Sequence, residues 1–251
     1  LTPEQAAGAA KPYVLEVGGA FSEWPETLRR GRLMGLSGWA FYVTGRGGAL
    51  GDVRADTVAA ALGFIDPEAV ADGWEAARQV VRPAEVAAAN LVECCRWGGK
   101  HLAEAPGVAR LAELSQRVVS AADAAGMPLF AAWRAMPAPD DAPGARAAVF
   151  LHLLREHVNA AHLLAARASG MSPLEAIISG PEGEAGAMAH GWPPPYPPVG
   201  PLVRRRLWAD AVTDRITASA YAVLGPAERV EFVDLLADTS ARLRAARLPR
   251  R

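Results

Sequence analysis

Three of the five histidines fall within one short stretch, Leu151–Leu164, as His152, His157 and His162. Arg155 and Glu156 lie between them. Guanidinium groups hold anions, and imidazole and carboxylate groups move protons near neutral pH. At about 100° per residue, Leu151, Leu154, Val158, Ala161 and Ala165 form one apolar stripe. Arg155, Asn159 and His162 gather on one flank of it; His157 falls on the other flank with Phe150 and Leu164. Histidines five apart diverge by about 140° on a regular helix, so they do not chelate one ion. A zinc site needs histidines at i and i+4, or a third ligand nearby. No His-Glu-x-x-His, Cys-x-x-Cys or clustered acidic pair occurs, so no metal is expected.

Other patterns suggest chemistry and then fall short. Val43-Thr44-Gly45-Arg46-Gly47-Gly48-Ala49-Leu50-Gly51 is similar to the glycine fingerprint of short-chain dehydrogenases. It follows an apolar run, and Asp66 stands where a ribose-binding acid would. Ala49 replaces the last glycine of the motif, however, and only helical segments follow. The Tyr-x-x-x-Lys pair of that family is missing, since Ala7 and Arg96 precede the two lysines, Lys11 and Lys100, by four. The expectation is a Gly-rich turn between two helices, and no nucleotide cofactor. Gly35-Leu36-Ser37-Gly38-Trp39 fails the nucleophile-elbow pattern at its last position. Cys94 and Cys95 are adjacent, a spacing that strains a disulfide; both are expected as free thiols on a helix.

The elements that must position these residues read as helices. Thr2-Pro3-Glu4 and Asp66-Pro67-Glu68 each place a cap before an N1 proline. Helices are predicted over 67–82, from 83 to about Trp97, and over 107–125, where Val108, Leu111, Leu114, Val118 and Ala122 share a stripe. The longest runs over 144–169 and stops at Gly170. Ser172-Pro173-Leu174-Glu175 is a capping box. A helical pair, 202–224 and 226–246, breaks at Gly225-Pro226. Only Trp39–Val43 looks like a strand. Pro137–Pro143 reads as a connector, and Gly191–Pro201, with five prolines in Pro193–Pro198 and a sixth at Pro201, as an extended surface strap. The fold class is therefore all-α, in two helical lobes, 1–105 and 106–251.

Composition bounds what such a fold can do. Of 251 residues, 51% are apolar and 21% charged, a globular mix. The formal charge of −1 gives no global attraction to nucleic acid or an anionic membrane. No apolar run of about 18 residues occurs, and Leu1–Gln5 lacks the features of a signal peptide. The chain given starts without Met, so residues are expected to be missing before Leu1. A reduced, cytoplasmic setting is expected.

Several motifs, in order, resemble an actinobacterial family of helix-turn-helix proteins. They are Gly35-Leu36-Ser37-Gly38-Trp39 with Tyr42, Arg46, Leu50 and Gly51; Gly126-Met127-Pro128-Leu129 with Arg134-Ala135-Met136-Pro137; Leu154-Arg155-Glu156-His157 with His162; Gly191-Trp192; and Thr213-Asp214-Arg215. The resemblance spans roughly 30–245. It implies a predominantly helical chain whose C-terminal half is like a degenerate winged helix. Two departures stand out. Val158-Asn159-Ala160-Ala161 occupies the place of the family's Arg-Gly-Asp-Gly. The Pro-rich strap replaces a recognition-type helix, and no wing is visible, which argues against reading DNA in the major groove.

The expectation is a small-molecule-binding protein with a pocket between its lobes. Trp39, Tyr42 and Arg46 line it from the first lobe; Arg155 and His162 line it from the long helix. Arg46 or Arg155 pairs with an anionic group. Two alternatives accompany this reading. One is a cofactor-independent cyclase or isomerase with His157, assisted by Glu156, as acid and base. The other is a winged-helix transcriptional regulator. The expected partners are a small molecule and a second copy of the chain, with no nucleic acid and no membrane.

Overall fold

A computed structural model describes residues 1–137 and 142–247. Thirteen α-helices and no strand occur among them: α1 (Pro3–Gly19), α2 (Pro25–Leu33), α3 (Gly38–Gly47), α4 (Ala55–Leu62) and α5 (Pro67–Arg78) come first. They are followed by α6 (Pro83–His101), α7 (Val108–Ala121), α8 (Pro128–Arg134), α9 (Pro143–Ala168) and α10 (Pro173–Ile178). The last three are α11 (Gly183–Ala189), α12 (Val203–Tyr221) and α13 (Pro226–Arg247). The fold is all-α.

Local sequence sets most of the helix starts. Thr2 and Ser172 form complete capping boxes with Gln5 and Glu175, and Asp66 accepts from the amides of Glu68 and Ala69. Proline stands at the first turn of α2, α5, α6, α8 and α9 as well, where its missing N–H is no loss. Two expectations are corrected. Trp39–Val43 is not a strand but part of α3, which Ser37 caps through the Ala40 amide at 3.1 Å. The Gly-rich run after it is a turn only in its second half. Gly45 and Gly47 lie in α3, and Gly48–Leu50 continues as a 3₁₀ turn.

The 26-residue α9 is the axis of the molecule. Helices α1, α6, α7, α8, α10 and α12 pack around it. Leu151, Leu154, Val158, Ala161 and Ala165 are all buried, as the stripe predicts. So are His152, Glu156 and His157. Buried polar groups on such a helix mostly find partners; among the described residues His152 Nε2 has no hydrogen-bond partner. The main buried cluster includes residues from Ala6 to Leu236 and so draws on both ends of the chain.

Close approach of α6 to α9 rests on two glycines facing each other. A Cβ on Gly98 would collide with the Gly144 carbonyl, and a Cβ on Gly144 would meet the Gly98 carbonyl in turn. Gly99, one residue along α6, has nothing within 4 Å of such an atom.

The strap is not helical from Trp192 to Val199 and enters a 3₁₀ turn at Gly200–Leu202. The Trp192 indole donates to the Phe64 carbonyl at 2.8 Å, and the Tyr196 hydroxyl donates to the Trp192 carbonyl at 2.8 Å. The strap thus fastens the α4–α5 turn to the second half of the chain. In the Pro137–Pro143 connector, residues 138–141 lie outside the described residues. None of the described helices is long and apolar enough to cross a membrane.

These contacts separate two neighbouring glycines. Gly98→Ala is expected to lower stability by at least about 1–3 kcal/mol, the cost of overpacking. Gly99→Ala on the same helix is expected to raise it by about 0.5–1 kcal/mol, from helix propensity and open space. Urea unfolding of the two variants tests this; equal effects would refute the α6–α9 contact.

Candidate functional site

Arg46 stands in the last turn of α3 and Glu156 at the middle of α9. Their side chains meet inside the protein as a fork. Arg46 Nη2 lies 2.8 Å from Glu156 Oε2, and Nε lies 3.1 Å from Oε1. Both are buried. Two more groups complete the cluster. Arg46 Nη1 donates to the Tyr42 hydroxyl at 3.1 Å, one turn back on α3. Arg155 Nη1 donates to Glu156 Oε1 at 3.1 Å. The Arg46 carbonyl is taken up by the Trp133 indole N–H at 3.0 Å, which ties α3 to α8.

Burial alone would raise the Glu156 carboxyl, but the Arg46 and Arg155 guanidiniums outweigh it and hold the group down at about 2. Burial opposes the Arg46 charge too, and Glu156 reverses that effect, raising its pKa. The Tyr42 phenol shows the same field. Its burial would raise the pKa, yet Arg46 and Arg155 bring it below the ordinary value. One carboxylate therefore faces two guanidiniums, and a positive charge is left over.

That charge borders a cavity of about 230 Å³. Tyr42 and Arg46 of α3, Leu62 of α4, and Phe64 and Ile65 of the α4–α5 turn line it together with Arg155, Asn159 and His162 of α9, Ile177 of α10 and Arg206 of α12. Of the residues singled out in the sequence, Tyr42, Arg46, Arg155 and His162 line this one cavity. Glu156 sits behind them, paired with both arginines. Arg206 is itself held by Asp210 at 2.9 Å and by the Ala176 carbonyl at 2.7 Å. Exposed Glu182 stands on the rim.

Trp39 and His157 are not among the lining residues. Trp39 packs 5.8 Å from the Tyr42 ring, and its indole donates to the Ala69 carbonyl at 2.8 Å. His157 is buried beneath Phe130, with ring centroids 4.9 Å apart. Burial lowers its pKa to about 4, against a hydrogen bond to the Asp123 backbone that works the other way. His152 is wedged edge-on between Phe21 and Trp133 and donates from Nδ1 to the Gly18 carbonyl at 3.3 Å. Burial brings it too to about 4. Among the described residues no three His, Cys, Asp or Glu side chains are grouped to hold a metal ion.

The sequence reading missed Arg206, Asn159 and Phe64 as lining residues. Arg206 was legible: it precedes Ala209 by three and Thr213 by seven, and so shares their buried stripe. Phe64 carries no such signal, because the strap places it.

An all-helical protein with a buried guanidinium–carboxylate cluster beside a cavity is the class that these features define. The chain belongs to a helix-turn-helix family, whose model matches residues 13–196. That span holds Tyr42, Arg46, Arg155, Glu156 and His162 and ends before Arg206. No curated protein and no solved structure matches the chain.

Two outcomes follow from the charges. Glu156→Gln leaves Arg46 buried without its counter-charge and is expected to cost about 3–5 kcal/mol. The double variant Arg46→Met/Glu156→Met is expected to lose less than the two single changes added together; additive losses would show that the pair is not coupled. For pH, the imidazoles of His152, His157 and His162 titrate near 4 when folded, against about 6.5 unfolded. The unfolded chain binds protons first, so their contribution is complete above about 6.5 and is lost between there and 4. Each neutral histidine accounts for at most about 1.4 kcal/mol per pH unit in that window. Glu156 acts lower down, its contribution fading as pH falls toward 2. Stability that is flat from pH 6.5 to 4 would contradict the burial of these rings.

Proposed function

We propose that the protein binds a small anionic molecule in the cavity between the segments 1–105 and 106–251. The observation that carries this reading is the charge count: Arg46 and Arg155 share the single carboxylate of Glu156 at its inner wall. A half-buried guanidinium without a full counter-charge is stabilised by an incoming carboxylate or phosphate oxygen. Leu62, Phe64, Ile65 and Ile177 supply the apolar wall that such a ligand would cover. At about 230 Å³ the cavity is smaller than the ~300–1,000 Å³ usual for drug-sized ligands. A ligand of modest size is therefore expected. An inner wall already tied by the Arg46–Glu156 fork costs little to organise on binding.

A second reading rests on the family: a regulator that binds DNA. Arg204 and Arg205 are exposed on the first turn of α12, where they would meet phosphates. The two readings are compatible, since a ligand in the cavity would touch Arg206 on the same helix.

Calorimetric titration with 3-phenylpropanoate, a small aromatic carboxylate, tests the first reading. Binding is expected in the wild type, with a loss of at least about tenfold in Arg155→Met, the scale of a charge-assisted hydrogen bond. Equal affinity in the variant would remove Arg155 from the site. The DNA reading predicts sequence-preferring binding that weakens as salt rises and weakens again in Arg204→Ala/Arg205→Ala.

A further inference from the structure

We infer that His162 presents a bare Nε2 to the cavity, as a fixed hydrogen-bond acceptor, so that the ligand carries an anionic group at one end and a hydroxyl or N–H donor at the other. The inference rests on the anion-binding reading of the cavity and adds the chemistry of the far end.

Hydrogen-bond accounting around Thr213 fixes the ring. The Thr213 hydroxyl lies 2.7 Å from the Ala209 carbonyl, one turn back on α12, and gives its only proton there. His162 Nδ1 lies 3.1 Å from the same hydroxyl oxygen. With the hydroxyl proton committed, the oxygen can only accept, so Nδ1 must carry the hydrogen. The Asp210 carboxylate, 3.8 Å from Nδ1, favours the same arrangement. A neutral imidazole with hydrogen on Nδ1 has a lone pair on Nε2. Among the described residues no hydrogen bond to that atom occurs; the ring's one hydrogen bond is through Nδ1.

The ring is also held in the neutral form. Burial is the main cause, with Arg206 and Lys11 adding to it and Asp210 opposing, and the result is a pKa of about 4. Phe64 from the α4–α5 turn stacks on the ring at 5.5 Å and 27°, which locks its plane. The strap holds Phe64 in turn through the Trp192 indole.

Spacing sets the length of the ligand. Arg155 and His162 are seven residues apart on α9, two turns along one face, or about 10.5 Å of rise. Asn159 lies between them and lines the same cavity. The guanidinium end takes the anion, the apolar wall takes the middle, and Nε2 takes the donor. His157 cannot share this role, because it packs under Phe130 and is not among the lining residues.

The probes are 3-(4-hydroxyphenyl)propanoate, its 4-methoxy ether and 3-phenylpropanoate. The hydroxyl compound is expected to bind about fivefold more tightly than either analogue, the scale of one net hydrogen bond. The preference is expected to vanish in His162→Phe and to shrink in Thr213→Val, whereas Arg155→Met weakens all three alike. Nitrogen-15 NMR of the imidazole, run on the wild type without ligand, reads the tautomer directly. Hydrogen on Nδ1 and a pyridine-type Nε2 is the expected result. Hydrogen on Nε2, or no preference for the hydroxyl compound when all three bind, overturns the inference alone. Failure of all three to bind overturns the anion-binding reading beneath it, and the inference with it.

Discussion

The Arg46–Glu156 fork is the interaction on which the rest of the structure depends. It joins a helix near the start of the chain to the middle of the central helix, across 110 residues of sequence. Ionised groups of this kind are stable in a core only when each is fully partnered. Much of the local architecture can be read as meeting that condition. The Tyr42 hydroxyl takes one guanidinium N–H, Glu156 takes two, and the Trp133 indole takes the Arg46 carbonyl. Gly47 at the end of α3 and Gly48 just after it let this segment approach its neighbours closely: a side chain on Gly47 would strike Val58, and one on Gly48 the Pro83 carbonyl.

A buried pair of this geometry is not in itself strong evidence for stability, since apolar side chains of similar volume often serve as well. What sets this pair apart is the third member. Arg155 bonds the same carboxylate from the cavity side and is only partly covered. The pair therefore fixes the position of a charge that is not itself neutralised. Farther along the same face of α9, His162 is held by an independent set of contacts from α12 and from the α4–α5 turn. On the proposed anion-binding reading, two polar groups about two helical turns apart on α9 would select a ligand for its length and for polar groups at both ends.

Much of the fold was legible because its signals are local. Caps at Thr2, Asp66 and Ser172, prolines at helix starts and the apolar stripe of α9 act within a few residues, and the structure follows them closely. The error at Trp39–Val43 has the same origin: a short apolar run has no period long enough to tell strand from helix. The glycines of 45–48 look like a turn or a phosphate loop in sequence. Their reason is tertiary, because they face other helices. Among the site residues, Tyr42, Arg46, Arg155 and His162 meet at one cavity, while Trp39 and His157 pack elsewhere. Helical geometry had placed His157 on the opposite flank from Arg155 and His162, so the sequence already held that distinction. Arg206 could have been found from its stripe, but Phe64 could not, since a strap some 130 residues away holds it in place.

The central claim is that the surplus charge on Arg155 marks where an anion sits. A crystal structure of the protein with 3-phenylpropanoate at saturating concentration tests it most directly. The carboxylate is expected within hydrogen-bond distance of the Arg155 guanidinium and the phenyl ring against Phe64 and Ile65, with the Arg46–Glu156 fork unbroken. A carboxylate bound elsewhere on the protein while this cavity stays empty would contradict it.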